Sequence, residues 1–185
     1  MENFNKIGQT SRILVRAWVD TDADAWFQLS QDEGINKFSL SGYRLSDVNA
    51  SQAMIKVWTE GFRKIQLGVL PIILKATSEI VGICALKPAK LDDEPTDQIE
   101  IMYRLGQKYW KQGFATEAGK ILLQYGFGQL DLPSVIGFIL PENIPSRAVL
   151  LRLDMKFIRN STFSKHQVEL YRVQKKDFFK KNESE

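Results

Sequence analysis

The sequence predicts an α/β (α+β) layer domain, a mixed, mostly antiparallel sheet of six or seven strands flanked by about four helices. Three observations carry this. Short β-branched runs alternate with stretches of helical periodicity from Arg12 onward. Glu100 to Gly126 runs strand, polar turn, glycine turn and amphipathic helix. The last 30 or so residues read as two β-rich runs around Ser164-Lys165-His166, a terminal hairpin.

Taken in order, Arg12–Trp18 has strand composition, and Asp20, Asp22 and Asp24 offer helix caps before Ala25–Leu29. Ser30–Arg44 is polar and without period. Apolar residues at Ala50, Ala53, Met54, Val57 and Trp58 then mark a second helix that ends near Gly61. Pro71–Ala76 and Ile80–Leu86 form a hairpin over Thr77-Ser78-Glu79, and Lys90–Asp97, acidic and containing Pro95, is a surface loop. Gln98–Leu105 is a strand. Helix Ala115–Gly128 buries Ala118, Ile121, Leu122 and Tyr125 at helical spacing. Strand Ser134–Leu140 stops at Pro141, and helix Asn143–Leu153 leads to the hairpin strands Lys156–Phe163 and Gln167–Val173. No repeat or internal linker interrupts residues 1–185, which the reading takes as one domain.

Composition narrows the function classes. With 185 residues, 44% of them hydrophobic, the chain can bury a core without metal or disulfide staples. Net charge is +3 and owes much to the tail Lys175–Lys181, read as a solvated end, so no nucleic-acid partner is expected. One cysteine, Cys84, and one histidine, His166, form no disulfide and no Cys/His metal cluster; Cys84 reads as a buried inert thiol and His166 as a surface residue. The N-terminal Met-Glu-Asn-Phe-Asn-Lys has no apolar signal core, and no apolar run approaches about 20 residues, so a cytoplasmic protein without a membrane partner is expected.

At the glycine turn the physics favours an anion. The first four N–H groups of a helix lack internal partners and sit at the positive end of its dipole. Gly113 and Ala115 leave a phosphate room to approach that backbone.

The run Tyr109-Trp-Lys-Gln-Gly-Phe-Ala-Thr-Glu-Ala118 resembles the acetyl-CoA pyrophosphate loop and following helix of the GNAT superfamily. Within it, the similarity is to the branch of ribosomal-protein N-terminal (alanine/serine) acetyltransferases. A second segment, Pro141-Glu-Asn-Ile-Pro-Ser-Arg-Ala-Val-Leu150, resembles that branch's Pro-x-Asn-x-x-Ser-x-x-Val-Leu motif, in order and about 30 residues on. The resemblance implies an acetyl-CoA-dependent N-acetyltransferase that uses acetyl-CoA as co-substrate and no metal. Acetyl passes to a primary amine, a protein N-terminus or a small molecule, by direct attack in a ternary complex. The alternative is a non-catalytic acyl-CoA-binding or protein-interaction module on the same fold. An unrelated nucleotide-binding domain is disfavoured, because no Gly-x-Gly-x-x-Gly or Walker loop follows an early strand.

The same resemblance assigns roles. Glu100 is the candidate base, acting directly or through a water, since only a neutral amine attacks a thioester. Its other reading is a charge alternating outward on a half-exposed strand. Main-chain groups of Met102, Tyr103 and Leu105 hold the pantetheine arm, where a bulge splays the strand. Gln112, Gly113, Phe114, Ala115 and Thr116 cradle the pyrophosphate, with Lys111 adding charge. Asn143 caps its helix and contacts the pantetheine amide, and Glu117 fits a dipole-stabilising role. The tyrosine that many relatives use to protonate the CoA thiolate is Leu150 here, so Ser146 inherits that partnership. Asp154 replaces the family's usual glycine at a helix end, in a left-handed turn that Asp tolerates. Acceptor specificity falls to residues about 30–62 and 156–170, with Trp26, Phe38, Tyr43, Trp58 and Phe62 as candidate groove aromatics or core. Edge strands in the terminal hairpin are compatible with a homodimer.

Overall fold

A computed structural model describes residues 6–39 and 44–182. Eight strands form one sheet in the order β1-β2-β3-β4-β5-β6-β8-β7, flanked by six α-helices among the described residues. The class is as the sequence predicts; the strand and helix counts are each higher. Strands β1 (Lys6–Gln9), β2 (Ile13–Arg16), β3 (Gly68–Leu74), β4 (Ile80–Ala89) and β5 (Gln98–Leu105) pair antiparallel. β6 (Ser134–Ile139), β8 (His166–Gln174) and β7 (Lys156–Phe163) form a second antiparallel set.

Helices α1 (Ala23–Ser30), α2 (Glu33–Asn36) and α3 (Val48–Ile65) precede β3. The Asp47 carboxylate starts α3 by accepting from the Ala50 N–H at 2.8 Å. The helix runs through Gly61 and stops at Gln66, in the left-handed region at φ 55°. Trp18, Trp26 and Trp58 stack at 5.5 to 5.7 Å in the layer between α1, α3 and the sheet. Trp26 and Trp58 are therefore packing residues, and Phe62 belongs to the main core on the other face. Tyr43 lies outside the described residues.

On that opposite face α4 (Phe114–Gly128), α5 (Ile144–Arg152) and α6 (Lys175–Asn182) cover the main core. A Cβ on Gly119 would stand 2.5 Å from the Leu153 side chain, so α4 and the end of α5 approach as only glycine allows. Helix α6 corrects the solvated-tail reading. Its Phe178 is buried and meets Phe127 at 5.3 Å, which anchors an otherwise charged segment.

Pro71 sits inside β3, where a proline argues against a strand. It fits because the β2 ladder ends at Ile72, leaving no β2 partner opposite Pro71. Strand β4 runs three residues past the predicted Leu86, and the extension sets Lys87 opposite Glu100.

Candidate active site

The two antiparallel sets join through β5 and β6, the one parallel pair among the described residues, registered through a single partnership, Glu100 with Ile136. Beyond it the strands diverge. The edge of β5 from Ile101 to Leu105 is left without ladder partners on that side, and a cleft of about 1140 Å³ occupies the split. The predicted bulge in β5 is not what opens it. β4 and β5 pair without a register shift from Gly82–Leu105 to Ala89–Gln98.

Side-chain alternation divides the cleft. Ile101, Tyr103 and Leu105 belong to the α4 face, and Glu100, Met102 and Arg104 to the other. On the α4 face lies the helix start. Gly113, at φ 88°, is the N-cap of α4, and no side chain satisfies that cap. Arg12 shapes the turn: it donates to the Gln112 carbonyl at 2.8 Å, to Glu117 through Nε at 2.7 Å, and lies over the Phe114 ring. Thr10 holds the same Glu117 carboxylate. Glu117 is thereby committed to structure. Trp110 fixes the preceding turn by donating from Nε1 to the Leu105 carbonyl at 2.8 Å.

Helix α5 forms the facing wall. Its cap is Asn143, buried, whose Oδ1 accepts from the Ser146 N–H at 3.2 Å. The Tyr103 hydroxyl donates to the Ser146 carbonyl at 3.1 Å, tying β5 to α5 across the split. Tyr103 is thus a staple, and burial raises its phenol well above the ordinary range. Leu150 carries no hydroxyl and is buried. Asp154 takes the left-handed turn at φ 59°.

Glu100 is 6% exposed, which removes the outward-facing reading. Its Oε2 lies 3.1 Å from Lys87 Nζ. Burial pushes its carboxyl above the usual carboxylate range, while Lys87 first and Arg104 second pull it back. An acid held in this balance can exchange a proton nearer neutrality than a solvated glutamate.

Every residue that the resemblance assigns to catalysis or to acetyl-CoA lines this one cleft: Glu100, Met102, Tyr103, Leu105, Lys111, Gln112, Gly113, Phe114, Ala115, Thr116, Asn143 and Ser146; of the candidate groove aromatics, Phe38 does as well. The sequence reading missed Lys87, hidden behind Pro88 in an unrecognised strand extension. It also missed Lys120 and Arg152, which add positive charge to the rim. Lys120 lies seven residues beyond Gly113, two helical turns, a spacing that marks the same face. His166 is exposed as expected, yet it too lines the cleft. Cys84 is fully buried and burial raises its thiol, as an inert residue requires.

Residues 12–156 match the family model described as an acetyltransferase (GNAT) domain. The chain belongs to the GNAT acetyltransferases. As a family member it is an acetyl-CoA-dependent acyltransferase. It is 31% identical over 147 residues to the uncharacterised N-acetyltransferase p20 of Bacillus licheniformis, covering 80% of each chain. Among solved structures, the ribosomal L7/L12 alpha-N-protein acetyltransferase RimL, in complex with coenzyme A, superposes with a TM-score of 0.77 at 14% identity. That match covers 91% of this chain and 97% of RimL. RimJ of Mycobacterium smegmatis, in complex with a CoA disulfide, gives 0.73 at 18% identity, covering 89% and 83%. At those identities the likeness establishes the GNAT fold. No helix among the described residues is long and apolar enough to cross a membrane.

Proposed function

We propose that this GNAT protein transfers acetyl from acetyl-CoA to a primary amine by direct attack in a ternary complex, with Glu100 as the base. One observation carries the reading: the split between β5 and β6 brings an uncapped helix start and a buried carboxylate into a single cleft. Its volume of about 1140 Å³, above the roughly 300–1000 Å³ usual for single-ligand sites, accommodates two reactants.

The residues divide the work. The N–H groups at Gly113 to Thr116 bind the pyrophosphate, assisted by the α4 dipole and by Lys111, Lys120 and Arg152. The edge of β5 that faces the split, through the Tyr103 main chain and the Leu105 N–H, holds the pantetheine amides by strand-like hydrogen bonds, with Asn143 opposite; the Met102 main chain instead pairs with β4, and the Leu105 carbonyl with Trp110. An amine with a pKa of about 8 to 10 arrives protonated, and Glu100 takes that proton directly or through a water. The amine nitrogen then bonds to the thioester carbonyl carbon and the carbon–sulfur bond breaks. The CoA thiol is acidic enough for its thiolate to leave without a tyrosine; the second proton of the attacking nitrogen passes to the thiolate or to solvent, and Ser146 is the partner assigned to that sulfur.

Continuous measurement of CoA thiol release with pooled amines tests the reading. Glu100→Gln should lower kcat by about 100-fold or more and leave acetyl-CoA affinity, measured by calorimetry, unchanged. Equal turnover of the variant across pH 6 to 9 removes Glu100 from the mechanism. Binding without turnover in the wild-type protein returns the chain to the alternative, an acyl-CoA-binding module.

A further inference from the structure

The amine acceptor is left open by the family, but the face of the cleft that it must enter is distinctive. On the proposed function, acetyl-CoA approaches from the α4 face, where the helix start and α5 lie, and the acceptor meets Glu100 from the opposite face. Strand register identifies what stands there. Phe138 pairs with Leu170, and Phe163 with His166, both on the same face as Glu100 and Val168. Phe138 and Phe163 meet at 4.6 Å between ring centroids, and both are only half-buried. Phe38, in the loop after α2, adds a third half-buried ring to the same cavity, and the Lys37 ammonium lies 5.7 Å from its centroid, a further cation that disfavours a second positive charge on the ligand. Half-buried rings in a cavity present apolar surface that a ligand can cover, and aromatic contacts reward ring-shaped ligands beyond their area.

These rings are held in place by built structure. Asp92 accepts from the N–H groups of Ser164 and Lys165 at 3.2 and 2.8 Å, pinning the hairpin turn beside Phe163. Arg159 ties the same hairpin to Asp93 and Glu94. The 90–97 loop and the hairpin tip therefore form one wall.

Charge narrows the ligand further. Among the described residues lining this end, Glu100 is the acidic one; Lys87 and Arg104 lie beside it. Glu117, at the other end, is paired with Arg12. One carboxylate suits one ammonium group, and a second cation on the acceptor would face Lys87 and Arg104.

We infer that this site, read as the acceptor site of the proposed transferase, selects a single primary amine carried on an apolar, ring-sized body. Polyamines, amino sugars and small polar N-termini are disfavoured. The same chemistry is offered by a free arylalkylamine and by a peptide that begins with an aromatic residue.

The test compares kcat/KM for phenethylamine, ethanolamine and spermidine, and for peptides that begin with Phe or Ser, with acetyl-CoA saturating. An aromatic arm should exceed its polar counterpart by about tenfold or more; which aromatic arm leads identifies the source. Phe138→Ala should erase most of that ratio, and Phe38→Ala, on a loop outside the sheet, should lower it without disturbing the sheet. A lead for ethanolamine, spermidine or the Ser peptide overturns this inference and leaves the transferase reading intact. No turnover in any arm, with acetyl-CoA binding seen by calorimetry, overturns both.

Discussion

Glu100 and Lys87 are the residues whose chemistry depends most on the fold. Buried to 6% exposure, the carboxyl is held above its ordinary range, and Lys87 at 3.1 Å is the largest influence opposing that shift. A base works in its ionised form, so on the proposed mechanism kcat/KM should climb with pH through the pKa of Glu100. Replacing Lys87 by Met keeps an apolar stem and removes the charge, which raises that pKa further. The acidic limb of the profile should then move to higher pH, with the plateau retained wherever Glu100 is ionised in both proteins. The acceptor's own pKa is common to both, so the difference between the two profiles isolates Glu100. An unmoved limb, or one shifted to lower pH, would dissociate Lys87 from the base. Its place in a Glu-Ile-x-Tyr strand nominates Glu100, but its burial is invisible in the sequence, because strand alternation alone sets it opposite Ile99 and Ile101 on a face that reads as open to solvent. Lys87 was hidden for a different reason: Pro88 reads as a strand terminator, yet β4 continues to Ala89.

At the scale of elements, the site is a helix start held open by a charged clamp. Arg12 on β2's approach grips the Gln112 carbonyl and Glu117 from opposite sides of Gly113, so the turn's shape is set by residues about 100 positions apart. Local sequence showed the glycine turn because its requirements are local: a positive φ, small residues, then helical periodicity. The clamp, the Asp92 anchor on the hairpin and the β5–β6 split are tertiary, and single-residue patterns do not encode them. Elements set off by clear turn or glycine signals, such as β5, α4 and β7, match their predicted bounds within a residue. α6 was missed because its single buried aromatic, Phe178, sits among lysines. A Gly113→Glu substitution strikes the helix start twice. It forces a side chain into the left-handed region and sets a carboxylate where the dipole and N–H groups favour an anion. Acetyl-CoA affinity should fall by about 100-fold or more, consistent with the loss of 2.7 kcal/mol or more, while circular dichroism remains that of the folded protein. Near-normal affinity in calorimetry would move the pyrophosphate away from α4.

Across the whole molecule, the sheet is two antiparallel sets joined through one registered pair and packed together by helices on the α4 face. A joint so sparse is a low-stability seam, because backbone hydrogen bonds that would otherwise knit β5 to β6 are absent beyond Glu100. On the proposed reading, a co-substrate lying along that edge would supply the missing partners and span both sets at once, through β5 on one side and α5 on the other. Coenzyme A at about 100 times its Kd should therefore stabilise the fold by about 2.7 kcal/mol. For a chain of this size that corresponds to a rise in Tm of roughly 5 to 10 °C. The distribution of the gain separates this account from general ligand stabilisation. Hydrogen exchange should slow most at the amides of Tyr103 and Leu105, which face the split without ladder partners, and at Gly113 to Thr116 on the helix start. The amides of β1 and β2, far along the sheet and already laddered, should change little beyond the global shift. Protection spread evenly over all eight strands, or concentrated on α3 and the Trp18–Trp26–Trp58 layer, would mean that coenzyme A does not occupy the split and that the cleft's two ends serve some other pair of ligands.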